Sequence, residues 1–194
     1  MTLDRAFLVG KRVYLRYLED GDVSEDYVGW LNDPDVTRYL ETGRMPSSVE
    51  SIRQFLRRFD GSTTDLIFAI VERRTDRHIG NVTLNRISAI HRTADTGLII
   101  GVKSAWGKGY AGEAWALVAS YAFERLGLRK LIAGVVDGNT ASQRSLEKLG
   151  FKVEGRLRQE YWCDGTWRDY IRLGLFREEF TPAVRRPRQT RKSP

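Results

Sequence analysis

A glycine-rich segment at residues 104–112, with the sequence Ser-Ala-Trp-Gly-Lys-Gly-Tyr-Ala-Gly, has the composition of an anion-binding loop. It follows an apolar, strand-like stretch at 96–102 and precedes an amphipathic, helix-like stretch at 111–126. The first backbone N–H groups of a helix lack intrahelical acceptors, and the helix dipole places partial positive charge beside them. A loop of this kind binds phosphate groups, so the sequence predicts a site for a phosphorylated cofactor.

Two better-known phosphate-binding motifs fit this segment less well. The Walker pattern requires Gly-x4-Gly-Lys-Ser/Thr, which the segment does not contain. Gly107, Gly109 and Gly112 do satisfy the dinucleotide pattern Gly-x-Gly-x-x-Gly. That motif is expected after the first strand of a βαβ unit, whereas this segment lies past the middle of the chain. Its position therefore favours a different kind of phosphate site.

Length and composition predict a cytoplasmic protein with one domain at residues 1–180. The chain has 194 residues with 41% hydrophobic content, which is enough for a full core. It has no run of about 20 apolar residues, and its N-terminus does not resemble a signal peptide. The single cysteine, Cys163, excludes an internal disulfide, and with only two histidines no metal site is expected.

The net charge of +7 is concentrated at the C-terminus. Segment 181–194 carries five basic and no acidic residues, so 27 basic and 25 acidic side chains remain elsewhere. The segment also has few apolar residues to pack and is expected to form a disordered basic tail. The nearly neutral remainder argues against a nucleic-acid-binding domain, although the tail itself has the composition to contact RNA.

Hydrophobic periodicity predicts a mixed α/β order of elements to position the loop. Strands are expected at 7–9, 12–18, 66–72, 78–87, 96–102, 130–136, 152–162 and 167–176. Helices are expected at 24–32, 34–40, 111–126 and 140–149, with another starting at a capping box formed by Ser47 and Glu50.

Three ordered segments resemble the GCN5-related N-acetyltransferases (GNAT), and more narrowly their Rim-type (RimJ/RimL-like) branch. They are residues 96–126, residues 139–142 leading into 147–151, and residues 154–158 with Gly165 and Asp169. Residues 12–16 and 30–34 also resemble that branch, so the likeness covers nearly the whole folded chain. It implies the GNAT fold, a mixed and mostly antiparallel sheet of about six or seven strands flanked by helices. A splayed parallel strand pair would bind the cofactor.

The resemblance implies acetyl-CoA as the cofactor. The family pattern Gln/Arg-x-x-Gly-x-Gly/Ala is met by Trp106, Gly109 and Ala111, with tryptophan in the first position. The cofactor-binding residues implied are Ile100, Val102, Trp106, Gly107, Lys108, Gly109, Tyr110, Ala111, Gly112, Asn139 and Ser142. Three of these have alternative roles: Asn139 as a helix cap, Trp106 as a packing residue and Lys108 as a solvated charge.

Acetyl transfer to an amine needs a neutral amine, a polarised thioester carbonyl and a proton for the departing thiolate. In many relatives a tyrosine supplies this proton, but the matching residue here is Leu146. The resemblance implies Ser142 as the acid, with Tyr161 as the runner-up. Glu160 and Asp95 are the candidate bases. For each carboxylate a surface salt bridge is the alternative role, and water is an alternative base.

The acceptor pocket is expected to have the segment 21–59 as one wall, which offers Trp30, Asn32, Arg38 and Tyr39. The resemblance favours a small-molecule amine or an amino sugar, sometimes nucleotide-linked, over the protein N-termini that Rim-type members acetylate. Trp30 and Tyr39 could instead pack helix against sheet. A non-catalytic acyl-CoA-binding protein is the alternative to an enzyme, and a homodimer is the default expectation for an oligomer.

Overall fold

An eight-stranded sheet with the order β1-β2-β3-β4-β5-β6-β8-β7 forms the centre of the protein. The structure is a computed structural model and describes residues 3–181, so the predicted basic tail lies outside the described residues except for Thr181. The strands are β1 Leu8–Val9, β2 Val13–Tyr17, β3 Leu66–Glu72, β4 Arg77–Ser88, β5 Thr93–Ile100, β6 Lys130–Val136, β7 Lys152–Cys163 and β8 Thr166–Phe176. The sheet thus exceeds the predicted six or seven strands.

Five α-helices accompany the sheet within residues 3–181. They are α1 Glu25–Asn32, α2 Pro34–Thr37, α3 Val49–Arg57, α4 Tyr110–Glu124 and α5 Thr140–Glu147, with 3₁₀ turns at Leu3–Arg5, Asp20–Asp22, Lys103–Ala105 and Arg177–Glu179. None of these helices has the length and hydrophobicity of a membrane span.

The cap of α3 differs from the prediction. The N-cap is Ser48, whose hydroxyl accepts from the backbone N–H of Ser51 at 3.1 Å. The hydroxyl of Ser51 in turn accepts from the backbone N–H of Ser48 at 2.8 Å. The predicted pair of Ser47 and Glu50 is therefore wrong by one residue, because two serines close the box without a glutamate.

Helix α4 packs against β1, β2, β4, β5 and β6 and forms the centre of the core. Its inward residues are buried and apolar apart from Glu113, which is 6% exposed. A helix that is apolar over most of its surface is stabilised chiefly by this burial. The core thereby fixes the position of the N-terminus of α4, where the glycine-rich loop ends.

The strands β5 and β6 form the one parallel pair in the described sheet, and they pair over only three residues. The last pair is Asp95 with Ile132. Beyond it, β5 stays paired with β4 while β6 stays paired with β8, so the two strands diverge. The predicted splayed parallel pair is confirmed, and it leaves a wedge-shaped opening through the sheet.

Strand β5 is displaced from its predicted range of 96–102. It begins at Thr93 and ends at Ile100, and Gly101 lies in an irregular stretch that follows it. The ring of Trp30 fills the space in which a Cβ on Gly101 would lie. Val102 then starts a 3₁₀ turn, so the chain bends away from β6 before it reaches the loop.

Candidate active site

The glycine-rich loop presents a row of unpaired backbone donors. Gly107 and Gly109 have φ angles of 72° and 78°, which is the left-handed region that glycine adopts without strain. Within residues 3–181, no acceptor is found for the backbone N–H groups of Gly107, Lys108, Gly109, Tyr110, Ala111 and Gly112. The loop and the first turn of α4 therefore form a concave set of donors at a helix N-terminus, as an anion requires.

Arg12 holds the loop from its opposite side. Its guanidinium donates to the carbonyl of Lys108 at 2.5 Å and to that of Gly109 at 3.2 Å. The same group donates through Nε to the buried carboxylate of Glu113 at 2.8 Å. Because these carbonyls are held on the Arg12 side, the neighbouring N–H groups are left for a ligand.

Tyr110 ties the start of α4 to the end of β3. Its hydroxyl donates to Glu72, and Thr75 donates to the other oxygen of the same carboxylate at 2.5 Å. The hydrogen bonds from Thr75 and Tyr110 lower the pKa of Glu72, and the one to Glu72 raises the pKa of Tyr110. Only the backbone of Tyr110 is then available to a cofactor.

Two of the predicted cofactor contacts are changed by neighbouring groups. The indole N–H of Trp106 donates to the carbonyl of Ile100 at 2.8 Å, so Trp106 closes the end of β5 as well as lining the loop. The N–H of Val102 donates to Ile79, and its carbonyl accepts from Ala105. Both backbone groups of Val102 are thus occupied within the protein and its side chain is buried, so a cofactor contact at Val102 stays a prediction.

A cleft of about 710 Å³ occupies the opening between β5 and β6. One wall contains Thr96, Gly97 and Leu98 of β5, and the opposite wall contains residues 133–136 of β6. Other lining residues from the prediction are Tyr39, Asn139, Ser142, Glu160 and Tyr161. The structure therefore brings all three predicted catalytic residues to one cavity.

Tyr161 has the most distinctive environment of the three. It is 7% exposed, and its hydroxyl has no hydrogen-bond partner in the described part of the chain. Burial raises its pKa to about 12, with the nearby Arg44 acting in the opposite direction. The Arg44 guanidinium lies 4.8 Å from the ring centroid. Tyr161 is thus protonated at neutral pH, and its hydroxyl lies near Arg44 and Glu41 without meeting hydrogen-bond geometry to either.

The carboxylates predicted as bases lie in different surroundings. Glu160 is exposed at the rim of the cleft, since it faces away from its neighbour Tyr161. Asp95 forms an ion pair with Arg86 and lies 3.7 Å from Arg172. The salt-bridge alternative is therefore confirmed for Asp95.

Asn139 and Ser142 lie where α5 begins. The side-chain oxygen of Asn139 accepts from the backbone N–H of Ser142 at 3.3 Å, which confirms Asn139 as the cap of α5. Trp115 of α4 also lines the cleft and was not predicted. It is 5% exposed, and its indole N–H has no partner within residues 3–181. Periodicity predicted Trp115 only as a helix residue, and no pattern near it indicated an unpaired donor.

Three of the four predicted acceptor residues have structural roles instead. Trp30 is 9% exposed and packs on His78 at a ring distance of 5.0 Å. Asn32 exchanges two hydrogen bonds of 2.8 Å with the backbone of Ser47. Arg38 pairs with Asp164 in the β7–β8 turn. These contacts occupy their polar or aromatic groups, and none of the three is among the residues lining the cleft.

Tyr39 is the exception among the acceptor residues because it does line the cleft. Its hydroxyl donates to the carbonyl of Gly138 at 3.3 Å, just before α5. The ring therefore bridges the N-terminal segment and the end of β6. This contact positions Tyr39 at the mouth of the cavity.

A second chamber of about 330 Å³ adjoins the cleft and was not predicted. It lies between the sheet and helices α1 and α3, with Ile52, Phe55 and Phe59 in its wall. Asn81 and Asn85 of β4 also line it. The two cavities share Leu40, Arg58, Asn85, Gly97 and Leu98.

Proteins of similar sequence include N-acetyltransferases. The chain is 34% identical to the N-acetyltransferase YoaA of Bacillus subtilis (strain 168) over 158 residues, covering 80% of this chain and 88% of YoaA. It is 36% identical to the spermidine N(1)-acetyltransferase of Escherichia coli (strain K12) over 111 residues, covering 57% of this chain and 59% of that enzyme.

Solved structures show the same fold. The spermidine N-acetyltransferase from Vibrio cholerae in complex with CoA and spermine superposes with a TM-score of 0.79 at 25% identity, covering 88% of this chain and 98% of that one. RimJ of Mycobacterium smegmatis in complex with CoA-disulfide has a TM-score of 0.76 at 23% identity, covering 86% and 83%.

A family model described as the acetyltransferase (GNAT) domain matches residues 12–152. The matched region contains the diverging strands, the loop and α5. With the relatives above, it shows that the chain belongs to the GNAT family of N-acetyltransferases, enzymes that use acetyl-CoA.

Proposed function

We propose that the protein transfers the acetyl group of acetyl-CoA directly to a small-molecule primary amine in the cleft between β5 and β6. The observation that carries this proposal is the divergence of these strands after Asp95 and Ile132, at a cavity that also contains a buried, unpaired tyrosine hydroxyl. The Rim-type branch is part of the proposal and rests on the motifs at residues 106–111 and 139–142.

The residues present fit acetyl-CoA. The unpaired N–H groups of 107–112 suit a pyrophosphate, and Lys108 is exposed beside them. Gly101 donates to Ile79 of β4, and alternate residues of a strand direct their backbone groups to opposite sides. The backbone groups of Leu98 and the N–H of Ile100 therefore face the opening, where a pantetheine arm with its amides can add as a further strand; the carbonyl of Ile100 already accepts from Trp106.

Two side chains are suited to the reacting end of the cleft. Acetyl-CoA supplies an acetyl group activated as a thioester. The indole N–H of Trp115 is a preorganised donor that can polarise a carbonyl in this cavity. Tyr161 carries its proton at neutral pH, as an unperturbed tyrosine also does, and it can give that proton to a departing thiolate. Ser142 is the second candidate for the acid.

The amine must reach the cleft in its neutral form. Glu160 at the rim is the candidate base, and the exposure of this rim also allows water to accept the proton. Small-molecule amines are favoured as acceptors by the relatives whose names include spermidine. An amino sugar and a protein N-terminus remain alternative acceptors.

The test has two stages. Acetyl-CoA at 100 times its Kd is expected to stabilise the fold by about 2.7 kcal/mol, measured by thermal unfolding. Thiol release is then measured with spermidine, glucosamine, an N-terminal peptide and simple alkylamines. Stabilisation without release from any amine would favour a non-catalytic acyl-CoA-binding protein, and absence of stabilisation would contradict the proposal as a whole.

A further inference from the structure

The 330 Å³ chamber adjoins the cleft and shares lining residues with it, which makes it a candidate place for an acceptor. Asn85 of β4 and residues Gly97 and Leu98 of β5 line both cavities. Asn81 lines only the chamber and is 3% exposed. A molecule in the chamber would therefore have one end beside the diverging strands and the other end near Asn81.

The floor of the chamber carries a short polar row. Asn81, Thr83 and Asn85 alternate along β4 and so lie on the same face of the sheet. Two side-chain atoms in this row, Nδ2 of Asn81 and Oδ1 of Asn85, are buried and have no hydrogen-bond partner within residues 3–181. Buried polar atoms without partners are costly, so these two atoms point to a ligand that satisfies them.

The hydrogen bonds around Asn85 fix which of its atoms is unpaired. The hydroxyl of Thr83 donates to the carbonyl of Gly97 at 3.4 Å, so its proton is already used. Asn85 must therefore present its NH₂ group to the Thr83 oxygen, at 2.8 Å. The atom left over is the amide oxygen, a hydrogen-bond acceptor.

The orientation of Asn81 follows from His78. The Nε2 atom of His78 lies 3.0 Å from the carbonyl of Gly80, which can only accept, so Nε2 carries the proton. The atom of Asn81 that lies 2.8 Å from the same nitrogen must then be its oxygen. The NH₂ group of Asn81 remains: the Tyr27 hydroxyl lies near enough to interact with one of its two protons, outside hydrogen-bond geometry, and the group has no other partner within residues 3–181.

The charges of the chamber restrict the ligand further. None of its lining residues, all within the described part of the chain, is acidic, and the charged residue among them is Arg58. The Arg58 guanidinium lies over the rings of Phe55 and Phe59, at 4.5 and 4.8 Å from their centroids. A second ammonium group on the ligand would be buried without a carboxylate and next to a cation, which is strongly unfavourable.

The spacing of the two asparagines sets a length. They are four residues apart on a strand that rises about 3.4 Å per residue, so their side chains project about 14 Å apart. The ligand would make one hydrogen bond of about 2.9 Å at each end. When both are subtracted from the distance between the side chains, about 8 Å remains for the ligand itself. This is the span of an extended chain of about six carbon atoms.

On the basis of the proposed function, we propose that this chamber binds the acceptor as a monoamine with an apolar chain and an uncharged oxygen at its far end. Asn85 accepts a hydrogen bond from the reacting amine, and Asn81 donates one to the terminal oxygen. The chamber discriminates against polyamines, although relatives named for spermidine share the fold.

Four amines that differ in the group at the end away from the reacting amine test this assignment on the unaltered enzyme. They are 6-aminohexanamide, hexylamine, 1,6-diaminohexane and spermidine, and the measurement is kcat/KM from thiol release. The amide is expected to exceed hexylamine by about tenfold, as one hydrogen bond implies, and to exceed both polycations by more than that. Equal or higher kcat/KM for either polycation would overturn the chamber assignment and leave the transferase function intact. Release from none of the four, with release from glucosamine or the peptide, would also overturn it.

A variant reverses the expected preference. Asn81→Asp keeps the oxygen that faces His78 and replaces the NH₂ donor with a carboxylate oxygen. The ratio of kcat/KM for 1,6-diaminohexane to that for 6-aminohexanamide is expected to rise at least tenfold. Gln54→Glu is the matched control, since Gln54 is exposed on α3, does not line the chamber, and gains the same charge.

Stabilisation by acetyl-CoA establishes that each variant is folded. An unchanged ratio in folded Asn81→Asp would overturn the role of Asn81. If that variant does not fold, the ratios of the four amines on the unaltered enzyme decide the proposal. Absence of thiol release with every amine tested, despite stabilisation by acetyl-CoA, would instead contradict the proposed function.

Discussion

Arg12 and Glu113, which are 101 residues apart in the chain, form a single unit behind the glycine-rich loop. The Glu113 carboxylate is almost fully buried and accepts from both the backbone N–H of Arg12, at 2.7 Å, and its Nε, at 2.8 Å. The remaining nitrogens of the guanidinium reach the carbonyls of Lys108 and Gly109. Arg12 thus compensates a buried charge and sets the direction of the loop at the same time.

Replacing Arg12 with alanine is expected to affect both stability and cofactor binding. The Glu113 carboxylate would lose its guanidinium partner, and we expect a loss of about 2 kcal/mol in unfolding free energy because Arg12 is half exposed. The affinity for acetyl-CoA is expected to fall about tenfold, since the loop loses two of its contacts. Denaturant unfolding and calorimetric titration measure the two effects.

Arg12→Lys is the control that separates these effects. Lysine keeps the charge beside Glu113 but cannot reproduce the fork that reaches two loop carbonyls. We therefore expect a smaller loss of stability and a similar loss of affinity. Acetyl-CoA affinity equal to that of the unaltered protein in Arg12→Lys would contradict the proposed positioning of the loop.

Gly112 offers a second test of the loop. It lies in the first turn of α4, its φ is not positive, and a Cβ there would meet no atom within 4 Å. Gly112→Ala is therefore expected to leave stability unchanged or raise it by about 0.5–1 kcal/mol, as alanine does in helices. The KM for acetyl-CoA is nevertheless expected to rise severalfold, because the new methyl group lies among the unpaired N–H groups.

Gly61→Ala is the comparison for Gly112→Ala. Gly61 has a φ of 65° and open space around it, and it lies far along the chain from the loop. This change is expected to cost about 1 kcal/mol through backbone strain and to leave the KM for acetyl-CoA unaltered. A Gly112→Ala enzyme with unaltered KM would show that no ligand approaches this turn.

The environment of His78 predicts that the unfolding free energy depends on pH. Burial lowers its pKa below the ordinary value of 6.5, against the opposing effects of Asn81 and Asp22. Between the lowered value and 6.5 the unfolded chain binds a proton that the folded chain does not. The unfolding free energy is therefore expected to decrease as the pH falls from 6.5 to the lowered pKa, by up to about 1.4 kcal/mol per pH unit.

Substitution of His78 by glutamine is expected to flatten this dependence between pH 7.5 and 5.5. Glutamine can still donate to the carbonyl of Gly80 but does not titrate. His91→Gln serves as the reference, because His91 is exposed. An identical slope of unfolding free energy with pH in His78→Gln and the unaltered protein would assign the acid sensitivity to other groups.

The sequence was most informative where a structural feature depends on local pattern. Strands β3 and β6 coincide at both ends with their predicted ranges, because alternation and flanking turns define them. The loop and the cap at Asn139 were also predicted, since both depend on residues adjacent in the chain. The splayed pair was implied by the resemblance rather than by periodicity.

Features that depend on distant contacts were not predictable in the same way. Trp30 has an aromatic side chain of the kind that often binds ligands. In the structure it packs instead against Gly101, in the space that a Cβ on that residue would fill. The unpaired atoms of Asn81 and Asn85 result from hydrogen bonds made by other strands and side chains. No pattern in the neighbouring sequence records which polar atoms remain unsatisfied after folding.

The directions in which the side chains of β7 point also could not be predicted from the sequence. A register shift between Leu157 and Tyr161, with Gln159 at a φ of 51°, decides which of Glu160 and Tyr161 faces inward. A bulge of this kind reverses the alternation beyond it. The sequence alone therefore predicted both Glu160 and Tyr161 as candidates. Only the fold shows that the Tyr161 hydroxyl is buried and the Glu160 carboxylate exposed.

Tyr161→Phe is expected to lower kcat about a hundredfold while the KM for acetyl-CoA stays the same, because only the proton donor is removed. Stability is expected to hold or rise slightly, since the buried hydroxyl has no partner in the described residues. The raised pKa of about 12 also predicts that kcat of the unaltered enzyme does not fall between pH 8 and 10. The raised pKa of Tyr161 also affects the unfolding free energy. Its contribution is fully present below about pH 10, the pKa of tyrosine in the unfolded chain, and is lost as the pH rises towards 12.

Ser142→Ala distinguishes the two candidate acids. The Ser142 contact in the cap of α5 is made by its backbone N–H, so alanine is expected to cost less than about 0.5 kcal/mol. If Tyr161 is the acid, kcat of Ser142→Ala remains within severalfold of the unaltered enzyme across the same pH range. A hundredfold loss in Ser142→Ala, with little loss in Tyr161→Phe, would assign the proton to Ser142 and leave Tyr161 as a packing residue stacked on Tyr170.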